Sequence, residues 1–104
     1  VIARPPACTT ARHRTLDAGG LRLHALEWGG PADAGLLLLH GGSAHAHWFD
    51  AVVGGVAFGR HVVSLDQRGH GQSAWPVPPA YATADFVGDL LQVLDGLGWE
   101  RAVL

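Results

Sequence analysis

The chain predicts an α/β fold, a partial doubly wound and mostly parallel sheet, and three features of the sequence carry that reading. Leu36–Leu39 is apolar at every position rather than at alternate ones, as a strand covered by helices on both faces must be, and His61-Val62-Val63-Ser64-Leu65 reads as a second buried strand. Stretches with helical apolar spacing stand between and after them, so strand and helix alternate along the chain. Ahead of them lie two strand-like segments joined by Ala18-Gly19-Gly20, a composition that favours a hairpin turn.

Residues 1–11, with Pro5-Pro6 and Cys8-Thr9-Thr10, have the composition of a flexible lead, and 12–104 reads as part of one domain. His13–Asp17 and Leu21–Trp28 are the hairpin strands. Gly29-Gly30-Pro31-Ala32-Asp33 supplies the next turn, and Leu36–Leu39 is a central parallel strand. Trp48–Phe58 places Phe49, Val52, Val53 and Val56 at helical spacing, which predicts the first helix although Gly54-Gly55 weakens it by about 1 kcal/mol per glycine. Trp48 is expected to anchor the start of that helix by packing, or to form a pocket wall. His61–Leu65 is a second buried strand, and Asp66–Pro79 is a loop rich in Gly and Pro. Trp75 and Tyr81 are exposed loop aromatics or part of a substrate entrance. The strongest helix spans 83–97: Thr83 as its cap, Asp85 in the positive first turn, Phe86, Leu90, Val93, Leu94 and Leu97 along one face, and Gly98 at the C-terminal end. Arg101–Leu104 opens a last strand.

At 104 residues, 48% apolar and 15% charged, the composition suits one small globular domain. The seven positive charges are all Arg and scattered, and the net charge is −2, so no basic field exists for nucleic acid. A small neutral or weakly polar molecule is the expected partner. The single Cys8 cannot close an internal disulfide, which points to a reducing, cytoplasmic setting. Arg4 is followed by no apolar segment of the secretory kind, and no run approaches the ~18 apolar residues that read as a membrane span.

Two blocks carry chemistry. His40-Gly41-Gly42-Ser43 follows an apolar strand. Acyl transfer develops negative charge on a carbonyl oxygen, and backbone N–H groups fixed nearby stabilise that charge without reorganising. Taken alone, Gly41 and Gly42 are better explained by a tight strand-to-helix turn, and it is the second block that favours the chemical role. The second block, Asp66-Gln67-Arg68-Gly69-His70-Gly71-Gln72-Ser73, fits D-x-R-G-x-G-x-S at every fixed position. Its glycines supply backbone angles that other residues avoid, and Asp66, Arg68 and Ser73 can satisfy the polar groups of the loop.

Together the blocks resemble the N-terminal half of the α/β-hydrolase family, over roughly residues 12–104. The resemblance implies a sheet ordered 1-2-4-3-5 with the 48–58 and 83–97 helices on opposite faces. The 101–104 strand, interior in the complete fold, is then an edge here, which favours association of the isolated chain. It implies an oxyanion-hole donor at the Gly42 backbone N–H, with His40 and Gly41 supporting the turn. Ser43 and Trp48 fall at the substrate pocket, and Asp66, Arg68, Gly69, Gly71 and Ser73 serve the loop structurally. In the family the nucleophile, acid and base follow in the order Ser, Asp/Glu, His, all beyond Leu104, so Asp66 is not the triad acid and the chain alone is expected to be inactive. The implied activity is hydrolysis of a small ester-like or related substrate by a Ser or Asp nucleophile, with no cofactor, no metal, no nucleic acid and no membrane partner. A non-catalytic binding or scaffold protein on the same fold is the alternative, and an inactive truncated product another. Ser43 with His45 or His47 and Asp66 has the residue types of a triad, but Ser43 is not in G-x-S-x-G. His45-x-His47 lacks the further ligands that a metal site needs.

Overall fold

Two extended segments, β1 (Arg12–Ala18) and β2 (Leu21–Trp28), pair antiparallel around Gly19-Gly20. Both glycines have positive φ, 60° and 91°, as a two-residue type I′ hairpin turn demands, and the Asp17 carboxylate accepts from the Gly20 N–H at 2.6 Å. The computed structural model describes residues 11–30, 35–56 and 60–104; residues 1–10 of the predicted 1–11 lead, most of the turn after Gly30 and the end of the first predicted helix lie outside them.

The chain continues as β3 (Gly35–Leu39), a 3₁₀ turn (Ala46–Phe49), α1 (Asp50–Val56), β4 (His61–Leu65), α2 (Thr83–Leu97) and β5 (Ala102–Val103). The sheet order is β1-β2-β4-β3-β5. β4 and β5 run parallel to β3, and β2 is antiparallel to both β1 and β4, so β2 alone opposes the common strand direction. The two helical layers cover opposite faces. Leu90, Val93, Leu94 and Leu97 of α2 pack with Leu16, Leu23, Leu37, Val63 and Leu65. Ala46, Phe49 and Val53 pack with Leu26, Trp28, Leu36, Leu38 and Val62 on the other side. Adjacent residues of β3 and β4 thus enter different cores, which is why β3 is apolar without alternation and β4 is buried at every position.

Four local expectations are revised. The first helix starts earlier than Trp48, as a 3₁₀ turn, and of its described residues only Asp50–Val56 are α-helical. A 3₁₀ start rotates residues by a different angle from an α-helix. Phe49 therefore enters the core, and Trp48 stands 69% exposed instead of anchoring the helix. The cap of α2 is Ala82, not Thr83: the Asp85 carboxylate accepts from the Ala82 N–H at 2.9 Å, one half of a capping box. Gly98 closes the helix at φ 72°, with its N–H donating to Asp95 and the Trp99 N–H to Leu94. The last strand is two residues long, pairing Ala102 and Val103 with Gly35 and Leu36. No helix of the described residues is long and apolar enough to cross a membrane.

Candidate active site

β3 and β4 are in parallel register with Leu39 opposite Leu65, so both end at the same edge of the sheet and release His40 and Asp66 side by side. Ligands of open α/β sheets bind outside the carboxyl ends of the strands. The two sequence blocks are therefore neighbours because of a register, although 27 residues separate His40 from Gln67.

His40 is buried and uses both ring nitrogens. Nδ1–H donates to the Gly41 carbonyl at 2.8 Å and Nε2 accepts from the Gln67 N–H at 3.1 Å, which assigns the neutral Nδ1–H tautomer. The Gln67 side-chain amide donates back to the His40 carbonyl at 2.7 Å. Beyond this clamp Gly41, Gly42 and Ser43 are exposed, and the Ala44 N–H donates to Gly41 at 3.3 Å, closing a four-residue turn. Ser43 has φ 62°, the only positive φ outside glycine among the described residues. Position i+2 of a type II turn requires that angle and normally holds Gly. Strained backbone of this kind concentrates at functional sites. The Gly42 N–H enters no hydrogen bond among the described residues, and a methyl group on Gly42 would meet open space.

Asp66, 2% exposed, organises the second block. Its Oδ1 accepts from the Ala46 N–H at 2.7 Å; its Oδ2 accepts from the Gln72 N–H at 3.0 Å and from His24 Nδ1 at 2.7 Å. Burial pushes the Asp66 carboxyl up, but the Gln72 and Ala46 amides and His24 together hold it below the usual range. Ser73 Oγ donates to the Asp66 carbonyl and accepts from the His24 N–H at 2.8 Å. Arg68 forks onto Asp89 of α2 with two bonds of 2.7 Å and reaches the Ala80 carbonyl at 2.8 Å. Gly69 and Gly71 have φ of 74° and 51°; a Cβ on Gly69 would strike the Tyr81 hydroxyl, and one on Gly71 the Asp66 carboxylate. Each fixed position of D-x-R-G-x-G-x-S thus has a physical occupation in the loop.

The triad-like set does not assemble among the described residues: Asp66 is engaged by His24, and His47 pairs with Asp50 at 2.8 Å. No cluster of three metal-ligating side chains occurs there either. His24 and His13 were not singled out by the sequence, yet His24 joins Asp66 and His13 in one hydrogen-bonded chain. The available signal was a histidine at a core-facing position of β2, between Leu23 and Ala25, where a polar ring needs a partner. A cavity of about 160 Å³ opens beside the same strand ends, lined by Leu39, Leu65, Gln67, Phe86, Asp89 and Leu90.

Comparison with known proteins agrees with this geometry. The family model described as alpha/beta hydrolase fold matches residues 36–104. Epoxide hydrolase B of Mycobacterium tuberculosis is 37% identical over 94 residues, which cover 86% of this chain and 26% of that protein. An esterase of the same organism is 43% identical over 53 residues, 51% of this chain and 17% of that protein. The crystal structure of epoxide hydrolase A from Mycobacterium thermoresistibile superposes with a TM-score of 0.81 at 32% identity, covering 89% of this chain and 30% of that one. The chain thus spans less than a third of the length of these relatives. With its sheet order, its two loops at one strand edge and these matches, the chain belongs to the α/β-hydrolase fold family.

Proposed function

We propose that the whole protein hydrolyses a small, largely apolar epoxide or ester through a covalent intermediate, and that the Gly42 N–H stabilises the oxyanion that forms. The observation that carries this reading is the Gly41–Ala44 turn: its base is clamped through His40 and Gln67, while the Gly42 N–H has no partner among the described residues. A donor held ready and unpaired is what electrostatic preorganisation requires. The family's nucleophile, acid and base are expected in the part of the protein that follows the β5 strand.

Both substrate classes need the same donor. With a Ser nucleophile the substrate's own ester carbonyl becomes tetrahedral and carries the charge. With an Asp nucleophile the carboxylate opens the epoxide and forms an alkyl ester, and water then attacks that ester's acyl carbon, so the charge falls on the enzyme's carboxyl oxygen. The epoxide hydrolases among the relatives support the second route, and the esterase supports the first.

Single turnover in ¹⁸O-water tests the reading. The epoxide route leaves ¹⁸O in the protein and unlabelled oxygen in the diol; the ester route puts ¹⁸O in the acid product. A protein that turns over neither styrene oxide nor p-nitrophenyl acetate and acquires no covalent adduct refutes it in favour of a non-catalytic role.

A further inference from the structure

The Gly41–Ala46 segment is gripped at both ends. At the near end His40 is fixed by Gln67. At the far end Ala46 is held through both backbone groups, its N–H by Asp66 at 2.7 Å and its carbonyl by the buried Ser64 hydroxyl at 2.8 Å. The near clamp is contained within the two motif blocks. The far one reaches outside them, because Asp66 is itself positioned by His24.

His24 stands on β2, buried, with Nδ1 at 2.7 Å from Asp66 Oδ2. Its other nitrogen, Nε2, meets Nδ1 of His13 at 2.8 Å, across the β1–β2 hairpin. An Nδ1–H of His13 directed at that nitrogen leaves the His24 proton on Nδ1, the atom that faces the carboxylate. A hydrogen-bonded line thus runs from His13 at the surface through His24 and Asp66 to the Ala46 N–H. Removing the His24 donor frees one lone pair of Asp66 in a buried site, and the carboxylate is then placed by the Ala46 and Gln72 amides alone.

We infer that His24 is a positioning residue for the Gly42 donor: through Asp66 it sets where Ala46 lies and hence the far end of the turn, and His13 fixes the tautomer in which it does so. The catalytic consequence rests on the reading of Gly42 given above. His24 touches no reacting atom, so its loss acts on the chemical step more than on substrate binding, because a displaced donor is felt most where charge develops.

The test uses the whole protein. In His24→Leu, kcat on the substrate that is turned over falls on the order of 10- to 100-fold while KM stays within about threefold. His24→Asn, whose side-chain amide can replace the Nδ1–H donor, recovers most of that loss. His13→Ala, which leaves every buried side chain in place, lowers kcat by a smaller factor and keeps the comparison open if His24→Leu does not fold. Val93→Ala, in the core on the other face of the sheet, lowers the melting temperature with kcat unchanged. The amide proton resonances of Ala46 and Gln72 move in His24→Leu and not in Val93→Ala. A folded His24→Leu with wild-type kcat, or a His24→Asn as slow as His24→Leu, overturns the inference. If the wild-type protein hydrolyses nothing, the Gly42 reading fails by itself and the amide resonances decide the positional link: unmoved in His24→Leu, they overturn it.

Discussion

A methyl group on Gly71 would lie 2.3 Å from the Asp66 carboxyl carbon, on a residue whose φ of 51° already disfavours a side chain. Gly71→Ala is expected to lower stability by at least about 2 kcal/mol, the clash adding to the backbone strain, and urea unfolding measures it. Asp66 and Glu27 make a second residue-scale prediction. Burial pushes the Glu27 carboxyl up, and His61, Arg14 and Arg12 more than offset it; Asp66 is likewise held low by its donors. A carboxyl whose folded pKa lies below its unfolded value contributes stability that is full above the unfolded value, about 4, and is lost as the pH falls through the folded one. The unfolding free energy is therefore expected to drop on acidification below about pH 4. Asp66→Asn, less stable at neutral pH, shows a shallower acid slope; a slope equal to wild type contradicts the assignment.

Between elements, the guanidinium of Arg68 joins the loop after β4 to α2 by its fork on Asp89. Arg68→Lys keeps the charge and loses the fork, since an ammonium cannot match a carboxylate with two parallel N–H groups. The expected cost is about 1–3 kcal/mol, read as a lower urea midpoint at unchanged slope. Most of the elements were legible in the sequence because their signals are local: the continuous apolar run of β3, the largely apolar β4, the periodic face of α2, and glycines at the hairpin and at position 98. The misplacements were local competitions as well. The bond that Asp85 accepts from the Ala82 N–H moved the cap from Thr83 to Ala82, and the 3₁₀ start left Trp48 exposed while Phe49 packs as its spacing predicted. The partners of the loop residues were not legible. His24 reaches Asp66 across 42 residues of chain, and only the sheet order β1-β2-β4 brings them together. Sequence spacing identified Asp66 as part of a motif, but it carries no information about which strand lies beside it.

At the scale of the molecule, the described sheet ends at β5, which pairs on one side with β3 and leaves Val103 and Leu104 exposed. An open edge with apolar side chains favours association. The 104-residue chain expressed alone is expected to self-associate in sedimentation experiments. It should also turn over p-nitrophenyl acetate no faster than its Ser43→Ala variant; saturable hydrolysis that depends on Ser43 would show that this chain holds a nucleophile of its own. The proposed oxyanion donor is a backbone group, so the decisive substitution is the one that deletes an N–H. Gly42→Pro in the whole protein is expected to lower kcat on the order of 100- to 1000-fold, as loss of one oxyanion donor does, with KM less affected. Gly42→Ala keeps the donor, and its methyl group enters open space, so it should remain close to wild type. Circular dichroism and labelling of the nucleophile establish that the proline variant is folded and still carries its attacking group. A folded, labelled Gly42→Pro protein with near-normal kcat would contradict the account and leave the His40-Gly41-Gly42 segment as a turn and nothing more.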